Sequence, residues 1–165
     1  MIKKMIKNKK MDKLIATLAK NKEIDNVNVP LYNLLDLFKP NIKNINECII
    51  IDNNNEIDIA RINFPRLMKM HGDRTGYEAT SNEIRINDLI PKAKFKEVLT
   101  LAIYTLEQWE LLFRSEYPSR KFYLILSCDS EFVTIRFHQI WQEESPWLVD
   151  DIEKYNQAIA YKMLT

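Results

Sequence analysis

The sequence predicts an α+β domain in which helices pack on one face of a largely antiparallel sheet. Three observations point there. One segment, about residues 94–115, carries apolar side chains at helical spacing along its whole length. The stretches that read as strands come as neighbouring pairs joined by short turns, not in alternation with helices, which argues against a doubly wound nucleotide-binding sheet. The chain has 165 residues, 46% of them apolar and 28% charged, enough for one core without metal or disulfide staples.

The elements follow in order. Residues 1–22 hold eight Lys and one Asp, and residues 1–10 are predicted to be a flexible basic arm, with 11–165 forming the domain. Residues 11–21 read as a helix, with Leu14, Ile15 and Leu18 on one face. Pro30 suits the first turn of a second helix, whose stripe is Leu31, Leu34, Leu35 and Phe38, and Pro40 stops it. Cys48–Ile51, the turn Asp52-Asn53-Asn54-Asn55 and the alternating Ile57 and Ile59 read as a hairpin. Glu83–Ile86 is a further short strand. The long helix presents Phe95, Val98, Leu99, Ala102, Ile103, Leu106, Trp109, Leu112 and Phe113, and ends before Pro118. Phe122–Leu126 is apolar on both faces, as a central strand requires. After a turn at residues 128–131, Val133, Ile135 and Phe137 alternate with Thr134, Arg136 and His138. A last helix is predicted from Asp150 or Asp151 to Met163, with Ile152, Tyr155, Ile159 and Met163 as its buried stripe.

Composition narrows the function. Cys48 and Cys128 are the only cysteines and lack a spacing motif, so they read as buried thiols. Two His and no Cys/His cluster leave no metal site and no cofactor to expect. No stretch resembles an export signal or a membrane span, so a cytoplasmic protein is expected. Residues 23–165 hold 16 basic and 22 acidic residues, a mildly acidic body behind the basic start.

Three segments carry candidate site residues. His71-Gly72-Asp73-Arg74-Thr75-Gly76-Tyr77-Glu78 contains both glycines of the chain. It reads as a compact loop, with Asp73, Arg74 and Glu78 as candidate contacts for a partner. His71 or His138, with Arg74 or Arg136, would be the acid–base and anion-binding groups of an enzyme, provided the two His meet in one cleft. The segment Trp141 to Glu153 is acidic and aromatic. Asp150 and Asp151 suit a helix start, while Glu143, Glu144 and Trp147 suit a protein interface. The basic start is a rival site for nucleic acid, but no aromatics interleave with its lysines.

The long helix with Trp109, then Tyr117-Pro118, Phe122–Ser127, Val133–His138 and Trp147 through Tyr155 resemble small bacterial immunity proteins of contact-dependent growth inhibition and related polymorphic toxin systems. The resemblance covers roughly residues 95–160. It implies a non-enzymatic cytoplasmic protein that binds one toxin domain, often a basic nuclease, and blocks it. Under that reading Glu143, Glu144, Trp147, Asp150 and Asp151 are the expected contacts, with Asp73, Arg74 and Glu78 second.

Overall fold

The computed structural model describes residues 4–20 and 31–165. The fold is α+β, with helices and a mostly antiparallel sheet. The described elements are β1 (Ile6–Lys7), α1 (Lys9–Lys20), α2 (Leu31–Phe38), β2 (Ile42–Ile45), β3 (Cys48–Ile51), α3 (Phe64–His71), α4 (Arg74–Ser81), β4 (Ile84–Arg85), α5 (Ile86–Leu89), α6 (Phe95–Glu116), β5 (Phe122–Cys128), β6 (Val133–Gln139) and β7 (Ala158–Leu164). Five strands form one sheet in the order β1-β7-β5-β6-β4, every pair antiparallel, and β2 pairs with β3 separately.

The long helix and the hairpin after it stand where the apolar patterns place them. Glu97 caps α6 by accepting from the Lys94 N–H at 2.7 Å. Val98, Leu99, Ala102, Leu106, Trp109 and Phe113 are buried along it. They meet the inner face of the sheet, formed by Phe122, Leu124 and Leu126 of β5 and Val133, Ile135 and Phe137 of β6. Phe113 stacks on Phe122 at 4.4 Å, and Trp109 meets Phe137 edge-on at 5.3 Å. The indole N–H of Trp109 donates to the Leu37 carbonyl at 2.8 Å and ties α2 to the core.

The expected C-terminal helix is a strand. Residues 152–154 make one 3-10 turn, and β7 then pairs over seven residues with the free edge of β5. The stripe Ile152, Tyr155, Ile159 and Met163 fits a helix. The run from Ala158 fits a strand equally well, with Ala158, Ala160, Lys162 and Leu164 on one side and Ile159, Tyr161 and Met163 on the other. β5 is apolar on both faces and needs a neighbour on each edge, so the sheet decides.

The first hairpin also lies elsewhere. Cys48–Ile51 pairs backwards with Ile42–Ile45 across a turn at Asn46 and Glu47, both at positive φ (49° and 73°), as a two-residue hairpin turn requires. The Asn-rich run after it closes a loop instead. The buried Asp52 carboxylate accepts from the N–H groups of Glu56 (2.8 Å) and Ile57 (3.2 Å) and pairs with Lys43 at 2.7 Å.

Part of the predicted flexible arm is built into the sheet. Ile6 pairs with Tyr161 and Lys7 with Ala160, and Met5 and Asn8 are buried. Asn8 is a junction: its Oδ1 accepts from Met11 N and Ile159 N, both at 3.0 Å, and its amide donates to the carbonyls of Gln157 (2.8 Å) and Ile152 (3.3 Å). The expected helix over 11–21 starts earlier, at Lys9. Leu18, Leu31 and the helix start at Pro30 lie outside the described side chains and residues.

Candidate functional site

The segment 71–78 is a junction between two helices and the first turns of the second, not a loop. Gly72 ends α3 at φ 88°, a conformation that favours glycine. Asp73 caps α4 by accepting from Gly76 N at 2.6 Å. A side chain at Gly76 would stand 2.3 Å from the His71 carbonyl oxygen, so that glycine is required by close approach.

Glu78, expected as a partner contact, is fully buried. One carboxylate oxygen accepts from Ile49 N and the Gln139 side-chain amide, and the other from Gln139 N, all at 2.7 Å; Trp141 Nε1 adds a bond at 3.2 Å. One turn further along, Asn82 accepts from Ile51 N (2.9 Å) and donates to the carbonyls of Ile49 (2.7 Å) and Phe137 (3.4 Å). Beyond its two residues of pairing with β4, β6 would have open backbone groups. Glu78 and Asn82 satisfy them and hang the β2–β3 hairpin on the main sheet. Burial pushes the Glu78 carboxyl above its ordinary value, and the four donors oppose this without reversing it.

The outer face of the sheet is the more informative place. Antiparallel register sets Arg136, Ile125, Tyr161 and Ile6 in one row and His138, Tyr123 and Met163 in the next. The connection from Ile140 to Gln157 crosses part of this face. Leu148 and Ile152 close over Ile125 and Ile159. Trp147 lies against the Arg136 guanidinium, 5.3 Å from its ring centre, and Arg136 is held from the other side by an ion pair with Glu83. Val149 N donates to the Tyr155 hydroxyl at 3.0 Å.

The rest of that face stays open. Ile6 is 49% exposed, and Met163 and Trp147 are each 42% exposed; Tyr123 and Tyr161, with rings 5.6 Å apart, are half-buried between them. Glu143, Asp150 and Asp151 are exposed on the connection. Burial, then Tyr161 and Asp150, push the Tyr123 phenol up.

The expected site residues therefore separate. Glu143, Trp147, Asp150 and Asp151 are exposed on the connection that crosses the outer face. Glu144 is turned inward: its carboxylate accepts from Thr75 N at 2.7 Å and lies 3.8 Å from Arg74. Arg74 is half-exposed and stacks over Trp141 at 4.5 Å. Asp73 and Glu78 are committed to internal hydrogen bonds. The helix that Asp150 and Asp151 were expected to start is the 3-10 turn, which Asp151 caps. The two His are not brought into one cleft. His71 packs beside Tyr77 at 5.3 Å. His138 is buried against Tyr123, and the small cavity it lines includes neither His71 nor either arginine. Burial pushes both cysteine thiols up to about 12. Among the described residues no group of three His, Cys, Asp or Glu is placed to hold a metal ion, and no helix is long and apolar enough to cross a membrane.

The sequence signal for Ile6, Tyr123, Tyr161 and Met163 as one surface was absent, because it exists only once β1 and β7 are strands. A model of the Uncharacterized protein PM0498 family matches residues 6–164. The chain belongs to that family. The match spans nearly all the described fold, from β1 to the end of β7. No curated protein and no solved structure matches the chain.

Proposed function

We propose that this member of the PM0498 family is a non-enzymatic immunity protein of the cytoplasm. It holds a cognate toxin domain on the open half of its outer sheet face and occludes the toxin's active or substrate site. The observation that carries this reading is the partly uncovered patch of Ile6, Tyr161, Met163 and Tyr123 on the outer face, with the exposed Trp147 on the connection that covers the rest of it. Aromatic and Met side chains are enriched at protein interfaces, and rigid aromatics are frequent anchors there. Glu143, Asp150 and Asp151 add exposed negative charge on the connection, which suits a basic partner such as a nuclease domain and would speed its approach.

The test is co-expression with the protein encoded immediately upstream, followed by binding kinetics on the purified pair. Trp147→Ala is expected to speed dissociation about tenfold or more, as loss of an anchor does. Glu143→Lys with Asp150→Lys is expected to slow association, most at low salt. A complex whose two rates ignore both sets of changes would place its interface elsewhere. Absence of any complex would remove the reading.

A further inference from the structure

His138 is enclosed between the sheet and the connection that carries Trp147. It is 1% exposed, and its ring stacks on Tyr123 at 5.1 Å with 26° between planes. Nδ1 lies 2.7 Å from the Gln139 carbonyl oxygen. A carbonyl only accepts, so in the neutral ring Nδ1 carries the proton and Nε2 is a bare acceptor. That Nε2 is the one buried side-chain nitrogen or oxygen without a hydrogen-bond partner among the described residues. The ring lines a cavity of about 60 Å³, closed by Thr75 of α4 and by Trp141, Glu144 and Pro146 of the connection.

The charged and titratable groups around the ring decide what a proton there would do. Arg136 stands two residues along the same strand on the same face, Tyr123 presents a neutral phenol, and the nearby carboxylates are Glu144 of the connection and Asp73 before α4. Both carboxylates are occupied, Asp73 by Gly76 N and Glu144 by Thr75 N and Arg74. An imidazolium at this place either stays unpaired in a buried site beside Arg136, or draws Glu144 off the start of α4. The first leaves a buried unpaired charge that only access of water relieves, and the second breaks the Glu144–Thr75 bond that ties the connection to α4.

We propose that His138 is a proton-operated latch: uptake of one proton at Nε2 loosens residues 140–148 from the sheet and unseats Trp147. Burial, the leading cause, holds the ring below the ordinary His value. The neutral ring's contribution is complete above about pH 6.5 and is lost as pH falls below it. The latch thus opens on acidification, and it does so whatever partner the outer face binds.

The experiment is amide hydrogen exchange on the full chain between pH 7.5 and 5, with NMR titration of both His rings. After correction for intrinsic chemistry, amides of residues 140–148 are expected to exchange roughly several-fold faster at the acid end, as local opening of this segment requires. Amides of α6 should not change. The rise should share its midpoint with the His138 ring signal, survive His71→Gln and vanish in His138→Gln. Should His138→Gln fail to fold, the shared midpoint in the unaltered chain still decides. Exchange of 140–148 that is indifferent to pH, that follows another group's midpoint, or that still rises in a folded His138→Gln protein overturns the proposal.

Discussion

One face of the central strand β5 shows Phe122, Leu124, Leu126 and Cys128, all buried under helices. Its other face shows Tyr123, Ile125 and Ser127, of which only Ile125 is buried. The inner face is closed by a regular helix at helical spacing. The outer face is closed only in part, by an irregular connection that rests Leu148 and Ile152 on Ile125 and Ile159 and is otherwise fastened through single hydrogen bonds and ring contacts. One strand thus serves two purposes. The side sealed by α6 holds the fold together, and the side that is half-covered remains available to change. Substitutions should separate accordingly.

The largest effect is expected at the inner face. Leu106→Ala removes a fully buried side chain, and such truncations cost about 2–5 kcal/mol. Denaturant unfolding measures it. A loss under 1 kcal/mol, at about the level of a surface change, would mean that α6 is not the main seal.

Glu78→Ala comes next. It leaves the N–H groups of Ile49 and Gln139 without their acceptor in a buried place, at a cost of about 1–3 kcal/mol for each such group. The signature is local: hydrogen exchange should rise at Ile49 and Gln139 before it rises in β5. Uniform acceleration would show that the hairpin and the main sheet open together.

Glu110→Ala should have a smaller effect, although its position on α6 reads as solvent-facing. Its carboxylate takes Lys162 at 2.6 Å on both oxygens and Arg114 at 3.2 Å. Burial alone would raise this carboxyl; the bonds from Lys162 and Arg114 outweigh it and hold the group below its ordinary 4.5. The loss is expected to be about 1 kcal/mol, since the pair is partly screened by solvent. A depressed carboxyl contributes above its ordinary value and loses that contribution as pH falls through its folded value. The difference in melting temperature between the two proteins should therefore shrink between pH 5 and pH 3, on the order of the range where such a group titrates.

The smallest effect on stability belongs to the open half of the outer face. Met163→Ala and Ile6→Ala should each change stability by about 0.5 kcal/mol or less, as exposed substitutions do. If they cost as much as Leu106→Ala, the outer face is a second core and not a surface held in reserve.

The parts legible from sequence are those where one local pattern had a single solution. The long helix was placed within a residue or two at each end, and the β5–β6 hairpin with its turn was found, because period 3.6 and period 2 were each sustained over many residues. The C-terminal segment satisfied both periods, and only the empty edge of β5 chose between them. The first hairpin was displaced because Lys43 and Asn44 interrupt β2, while its turn rests on positive φ at Asn46 and Glu47. Glu78 reads as a partner contact because a carboxylate beside Asp73 and Arg74 suggests a surface. Nothing nearby in sequence announces the donors at Ile49, Gln139 and Trp141. The exposed carboxylates of the connection were legible; the apolar patch of Ile6, Tyr123, Tyr161 and Met163 was not, since its members come from three strands far apart in the chain.

The placement of α4 against β6 bears on how the protein behaves when crowded. An uncovered strand edge is a template on which another chain can add a strand, and long flat edges seed aggregation. Here β4 supplies only two residues of pairing to β6, and the polar side chains of Asn82 and Glu78 occupy the next backbone groups along that edge. A helix does the blocking, so the edge is filled without offering a fresh row of amides to a neighbour. Loss of Glu78 or Asn82 would therefore show itself in concentrated solution as a tendency to polymerise through β6, under conditions where the rest of the sheet is still intact.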